Sequence, residues 1–191
     1  MLVPLTFLLN VLGSAFCSSP ITEYRGIRYT EQPSRFAPTS TPLAFDTQGE
    51  FDDYGNVCLQ DTTTIDMFGL NVTMDEDCLF LNVFTPNDDN NRNKLLPVMF
   101  YLHGGGYTQG YSQQLDARRL AREYDVVTIT INYRLGAMGF FASPDIAAED
   151  PDGATGGANG VRDQVRVVLE RRTAGAKDGW SEGRLGEASV A

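Results

Sequence analysis

Two strand-forming runs, Pro97 to Leu102 and Val126 to Tyr133, stand on either side of a helical stretch, and this arrangement restricts the chain more than any other feature. The first is a continuous apolar run, Val98-Met99-Phe100-Tyr101-Leu102. The second is β-branched, Val126-Val127-Thr128-Ile129-Thr130-Ile131. Both are the patterns expected of parallel strands covered on two faces. Between them, Leu115 to Ala121 places apolar residues at helical spacing. Strand, helix and strand with short joins make a βαβ unit, which puts the chain in the α/β class with a mainly parallel sheet. A further strand signal runs from Leu79 to Thr85 and ends at Pro86. Residues 30–77, punctuated by Pro33, Pro38, Pro42, Gly49, Gly55 and Gly69, read as irregular loops and short strands.

The ends carry different information. Met1 to Leu12 is almost wholly apolar and runs into Gly13-Ser14-Ala15-Phe16-Cys17, so residues 1–17 read as a secretory signal peptide. No later stretch is apolar over the length a membrane span needs. Removal of Cys17 with the leader leaves Cys58 and Cys78, an even pair that in a secreted chain suggests a disulfide. Asn71-Val72-Thr73 between them is an N-glycosylation sequon. A formal charge of −10 argues against nucleic acid and anionic membrane surfaces as partners. Residues 1–160 hold 9 basic and 20 acidic residues, whereas 161–191 hold 6 and 5. Aromatics also stop, with only Trp180 after Phe141. Residues 166–191 therefore read as an atypical, disordered tail following a domain at 18–165.

The chemistry is bounded by a single histidine. His103 opens the run His103-Gly104-Gly105-Gly106-Tyr107, directly after the first apolar strand. Three glycines without Cβ atoms let successive N–H groups turn toward one point, the arrangement an oxyanion hole requires. Open α/β sheets place their sites at the carboxyl ends of strands, which is where this run falls.

Several ordered segments carry a resemblance: Tyr24-Arg25-Gly26-Ile27-Arg28-Tyr29, Arg35-Phe36, Glu76-Asp77-Cys78-Leu79-Phe80-Leu81-Asn82-Val83-Phe84, His103 to Tyr107, Ile131 to Phe140, and Ala158-Asn159-Gly160-Val161-Arg162-Asp163-Gln164. Together they resemble the N-terminal third of a type-B carboxylesterase, the family that includes the cholinesterases. The resemblance implies the α/β-hydrolase fold, present only in part and with an incomplete sheet. In such a sheet Pro97–Leu102 would be left with one unpaired side. It further implies a serine-esterase mechanism acting on a small-molecule carboxylic ester, without cofactor or metal. Gly105 and Gly106 would supply the oxyanion hole, and His103 a structural or binding role. It also supports the Cys58–Cys78 disulfide and implies the ion pairs Arg35–Glu76 and Arg134–Asp163.

The departures from the family pattern bear on activity. The mechanism needs a Ser in a Gly-x-Ser-x-Gly turn after an apolar strand, then an acid and a His. The one literal match is Gly179-Trp180-Ser181-Glu182-Gly183, and it follows Ala174-Gly175-Ala176-Lys177-Asp178, which is no such strand. Ser181 is therefore not expected to be a nucleophile, and the triad's acid and base are not expected either. A β-hairpin usual before the Arg-Gly-Ile motif is also missing. The expectation is a secreted, extracellular portion of an ester hydrolase, not catalytically competent as given. The alternatives are a non-catalytic extracellular binding module of the same fold and a non-functional truncated product.

Overall fold

The computed structural model describes residues 20–39, 51–63, 72–87, 96–149 and 157–177. In chain order these form β1 (Ile21–Arg28), β2 (Val57–Cys58), β3 (Met74–Asp75), β4 (Phe80–Pro86), β5 (Val98–Leu102), a 3₁₀ turn at Ser112–Gln114, α1 (Ala117–Tyr124), β6 (Val127–Ile131), α2 (Gly136–Phe140), α3 (Pro144–Glu149) and α4 (Asn159–Lys177). The main sheet has the order β1-β4-β6-β5, and β2 pairs with β3 in a small parallel ladder.

The βαβ unit is present: β5 runs parallel to β6, with Val98 opposite Val127 and Leu102 opposite Ile131. Asp116 caps α1 by accepting from the Arg119 N–H, and Asp125 ends it in a left-handed turn at φ 54°. The expectation of a mainly parallel sheet is corrected, because β1 and β6 both pair with β4 antiparallel. A strand signal such as Leu79–Thr85 carries no direction, so the mixed character was not readable from it. β1 carried no strand signal of its own, since its charges and Gly26 interrupt the alternation. Gly26 sits in the register shift between Tyr24 and Ile27, at φ 69°. A Cβ there would lie 2.3 Å from the Asp53 carbonyl oxygen, so only glycine fits.

β4 and β6 are covered on both faces. Leu81 and Ile131, directly opposite each other, are fully buried with Leu79, Tyr29, Tyr133, Leu135 and Val167. On the other face Phe84 packs against Ala117 and Ala121 of α1. Each such Leu or Ile contributes about 1.5–3 kcal/mol by leaving water. The reading of β5 as doubly covered is corrected: none of its residues is buried, and Met99 and Leu102 are 36% and 38% exposed. It pairs with β6 on one side, and no described strand pairs with the other.

Cys58 and Cys78 form the expected disulfide, with Cα atoms 4.9 Å apart. Cys17, the leader, the sequon asparagine Asn71 and Ser181 lie outside the described residues. The change of sequence type at residue 165 is not an element boundary. α4 crosses it and continues to Lys177, correcting the expectation of disorder from residue 166. Residues 178–191 lie outside the described part.

An apolar edge strand with no charge or proline to protect it templates association. The isolated chain is expected to self-associate with rising concentration in size-exclusion chromatography, and Met99→Lys to shift it toward monomer. Identical elution of both proteins across a hundredfold dilution would count against the edge as the cause.

Candidate functional site

The glycine run leaves the end of β5 and returns at Gly110, and its geometry follows from its carbonyl groups. His103 is 3% exposed and lies flat on Tyr133, with ring centroids 4.2 Å apart and planes within 10°. Its Nδ1 is 3.1 Å from the Gly104 carbonyl oxygen. That oxygen can only accept, so Nδ1 carries the proton and Nε2 holds the ring's lone pair. The Gly105 oxygen accepts from the Thr108 hydroxyl at 3.0 Å, the Thr108 N–H at 3.2 Å and the Gln109 N–H at 3.3 Å.

A trans peptide carries its N–H opposite its C=O. Holding the Gly104 carbonyl thus aims the Gly105 N–H the other way, and holding the Gly105 carbonyl aims the Gly106 N–H the other way. Neither N–H donates to an acceptor among the described residues. The backbone needed for this is strained for ordinary residues: φ is 122° at Gly105, 63° at Gly106 and 62° at Tyr107. A Cβ on Gly105 would meet the Gln109 oxygen at 1.9 Å, whereas Gly106 faces open space. Tyr107 is held in its left-handed conformation by the Gly136 N–H, which donates to its carbonyl at 2.7 Å, and its ring rests on Phe140.

The return of the loop is anchored by polar groups that sequence reasoning did not single out. Gln60 makes a two-way pair with the Gly110 backbone, and the Ser112 N–H donates to Asn132 Oδ1 at 2.8 Å. Asn82 donates to the hydroxyls of Ser112 and Thr130, and Tyr29 donates to the Asn132 carbonyl. A buried asparagine inside a strand otherwise apolar, such as Asn82, was the available signal, because it must find partners. Tyr133 donates to the His103 carbonyl at 2.5 Å, and burial raises its hydroxyl to about 12.

Both ion pairs named from the sequence are present. Arg35 donates to both Glu76 oxygens at the surface. Arg134 and Asp163 form a two-pronged pair at 2.8 and 2.9 Å, fully removed from water at the aspartate. A third pair, Arg28 with Asp77, was not named, although both residues lie in the segments carrying the resemblance. Among the described residues no three metal-binding side chains come together, and no helix is long and apolar enough to cross a membrane.

A partial mixed sheet with helices, and a glycine loop at the carboxyl end of its parallel pair, define one part of an α/β-hydrolase domain. The carboxylesterase family profile matches residues 10–166, and the chain belongs to that family. It is 35% identical over 160 residues to cocaine esterase of Oryctolagus cuniculus, covering 80% of this chain and 29% of that protein. To liver carboxylesterase of Sus scrofa it is 34% identical, covering 67% and 25%. A thermophilic PNB esterase superposes with a TM-score of 0.69 at 29% identity, covering 80% of this chain and 31% of its own. Aspergillus niger EstA gives 0.63, also at 29% identity, covering 78% and 28%. The chain thus spans less than a third of the length of these relatives.

Burial lowers the His103 pKa from 6.5 to about 4, and its bond to the Gly104 carbonyl opposes this only in part. The stability gained by keeping the ring neutral is complete above pH 6.5 and is lost as pH falls toward 4. Urea unfolding should therefore show a loss of about 2–3 kcal/mol between pH 7 and pH 4.5. His103→Gln should flatten that slope, and an unchanged slope would show that another group carries it.

Proposed function

We propose that the glycine loop is the oxyanion-binding part of a secreted carboxylic-ester hydrolase. When a serine attacks an ester carbonyl, negative charge gathers on its oxygen. Two N–H groups already aimed at one place stabilise that charge without reorganising. The Gly105 and Gly106 N–H groups each point away from a held peptide carbonyl, the first held by His103 and the second by Thr108 and Gln109, which leaves both free to meet such a charge. This is the observation that carries the reading. The family membership and the ester-hydrolase names of the relatives support it.

His103 is not the base of this chemistry. It is stacked under Tyr133, its Nδ1 proton is committed to a backbone carbonyl, and burial keeps it neutral. It is the single histidine of these 191 residues. The chain by itself thus contributes binding of the oxyanion and not the nucleophile and base, whose loss costs about 10⁶ in turnover in serine hydrolases. A leader at 1–17, a domain that begins at residue 18 and takes in α4, and a glycan on Asn71 complete the reading. The disulfide, which favours an oxidising compartment, supports secretion.

Hydrolysis of a p-nitrophenyl ester by the purified chain should stay at the buffer rate, with Ser181→Ala no different. Turnover well above buffer that vanishes in Ser181→Ala would overturn the assignment of an incomplete site.

A further inference from the structure

We infer that Gln60 is a positioning residue for the glycine loop, clamping Gly110 as a neighbouring strand would and so fixing the peptide that aims the Gly105 N–H. The inference deepens the oxyanion reading and rests on it for its functional meaning. Gln60 Oε1 accepts from the Gly110 N–H at 2.7 Å, and its Nε2 donates to the Gly110 carbonyl at 2.9 Å. The second amide proton goes to the Cys58 carbonyl at 3.0 Å. Every donor of the carboxamide is used. The orientation is also unique, because the flipped amide would turn its oxygen toward two carbonyl groups and its NH₂ toward an N–H.

What Gly110 touches gives the clamp its consequence. Gly110 is buried at φ 123°, and a Cβ there would lie 2.3 Å from His103 Nδ1 and 2.4 Å from the Gly104 oxygen. The Gly110 backbone therefore lies directly behind the hydrogen bond that orients the Gly104–Gly105 peptide. While Gly110 stays in place, its backbone flanks that peptide and restricts its rotation. If Gly110 is released, the Gly104 carbonyl can leave His103 and the Gly105 N–H loses its direction. The clamp itself is firmly mounted. Gln60 stands two residues beyond Cys58, which is cross-linked to Cys78 and paired through β2 with β3. The disulfide is thus the fixed end of a chain of contacts, Cys58 to Gln60 to Gly110 to Gly104, ending at the oxyanion donors.

Hydrogen exchange of the whole chain, read by mass spectrometry on peptides covering residues 103–112 and the β4 and β6 strands, tests this. Gln60→Ala should speed exchange in 103–112 about tenfold, the loss of two backbone-like hydrogen bonds, with the strands unchanged. Gln60→Glu adds a readout that general loosening would not give. Protonated, the side chain can still accept from the Gly110 N–H and donate to one carbonyl. Ionised, it faces the carbonyls of Cys58 and Gly110 with nothing to donate. Its loop should be protected near pH 5 and released near pH 8, after correction for intrinsic exchange rates, whereas Gln60→Ala should show no such difference. Unchanged exchange in 103–112, equal acceleration in the strands, or a Gln60→Glu loop indifferent to pH would each overturn the proposal. The readout is backbone order, so it stands or falls separately from ester turnover.

Discussion

Arg134 is the point at which otherwise separate pieces of this chain meet. It follows the end of β6, and its guanidinium takes both oxygens of Asp163 on α4 while Nη1 donates to the Ala37 carbonyl at 2.6 Å. Its backbone N–H donates to the same carboxylate. Its carbonyl is approached so closely that a Cβ on Gly139 or Gly160 would lie 2.3 or 2.4 Å away. One residue thus joins strand, two helices and the loop at 34–39. Asn159 and Arg166 add bonds from α4 to Phe36 and Thr39. A buried charge pair need not add much stability relative to apolar residues, but breaking it leaves an unpaired ion in the core. The fold is therefore committed to this pair once the chain has buried it.

From that junction the order of the glycine loop follows. Two residues beyond Arg134 the Gly136 N–H, at the start of α2, holds the Tyr107 carbonyl, and Tyr107 in turn lies between Phe140 and the His103–Tyr133 stack. The other end of the loop is held by Gln60 and by the Asn82, Ser112 and Asn132 network. Carbonyl groups are tied on the inner side and N–H groups are left on the outer side. A loop with three consecutive glycines would otherwise pay a large conformational entropy to stay in one shape. Here the surrounding hydrogen bonds define it.

Much of this was legible in the residues. The apolar run Val98–Leu102, the β-branched run Val127–Ile131 and the intervening helix fell where their periodicities placed them. So did the glycine loop, because strand ends and glycine runs are local signals. What failed was non-local. The antiparallel direction of β4 depends on pairing across the sheet. The exposure of β5 depends on whether a neighbour exists. Gln60 was invisible for the same reason: a glutamine two residues after a cysteine has no meaning until Gly110, fifty positions away, is placed beside it.

The Arg134–Asp163 pair holds these pieces together, and urea unfolding of Asp163→Asn beside the wild-type chain, at low concentration near neutral pH, tests this. Asp163→Asn should lose about 3–5 kcal/mol of stability, as expected when one partner of a buried ion pair is removed. A loss below about 1 kcal/mol, in the range of exposed pairs, would contradict it.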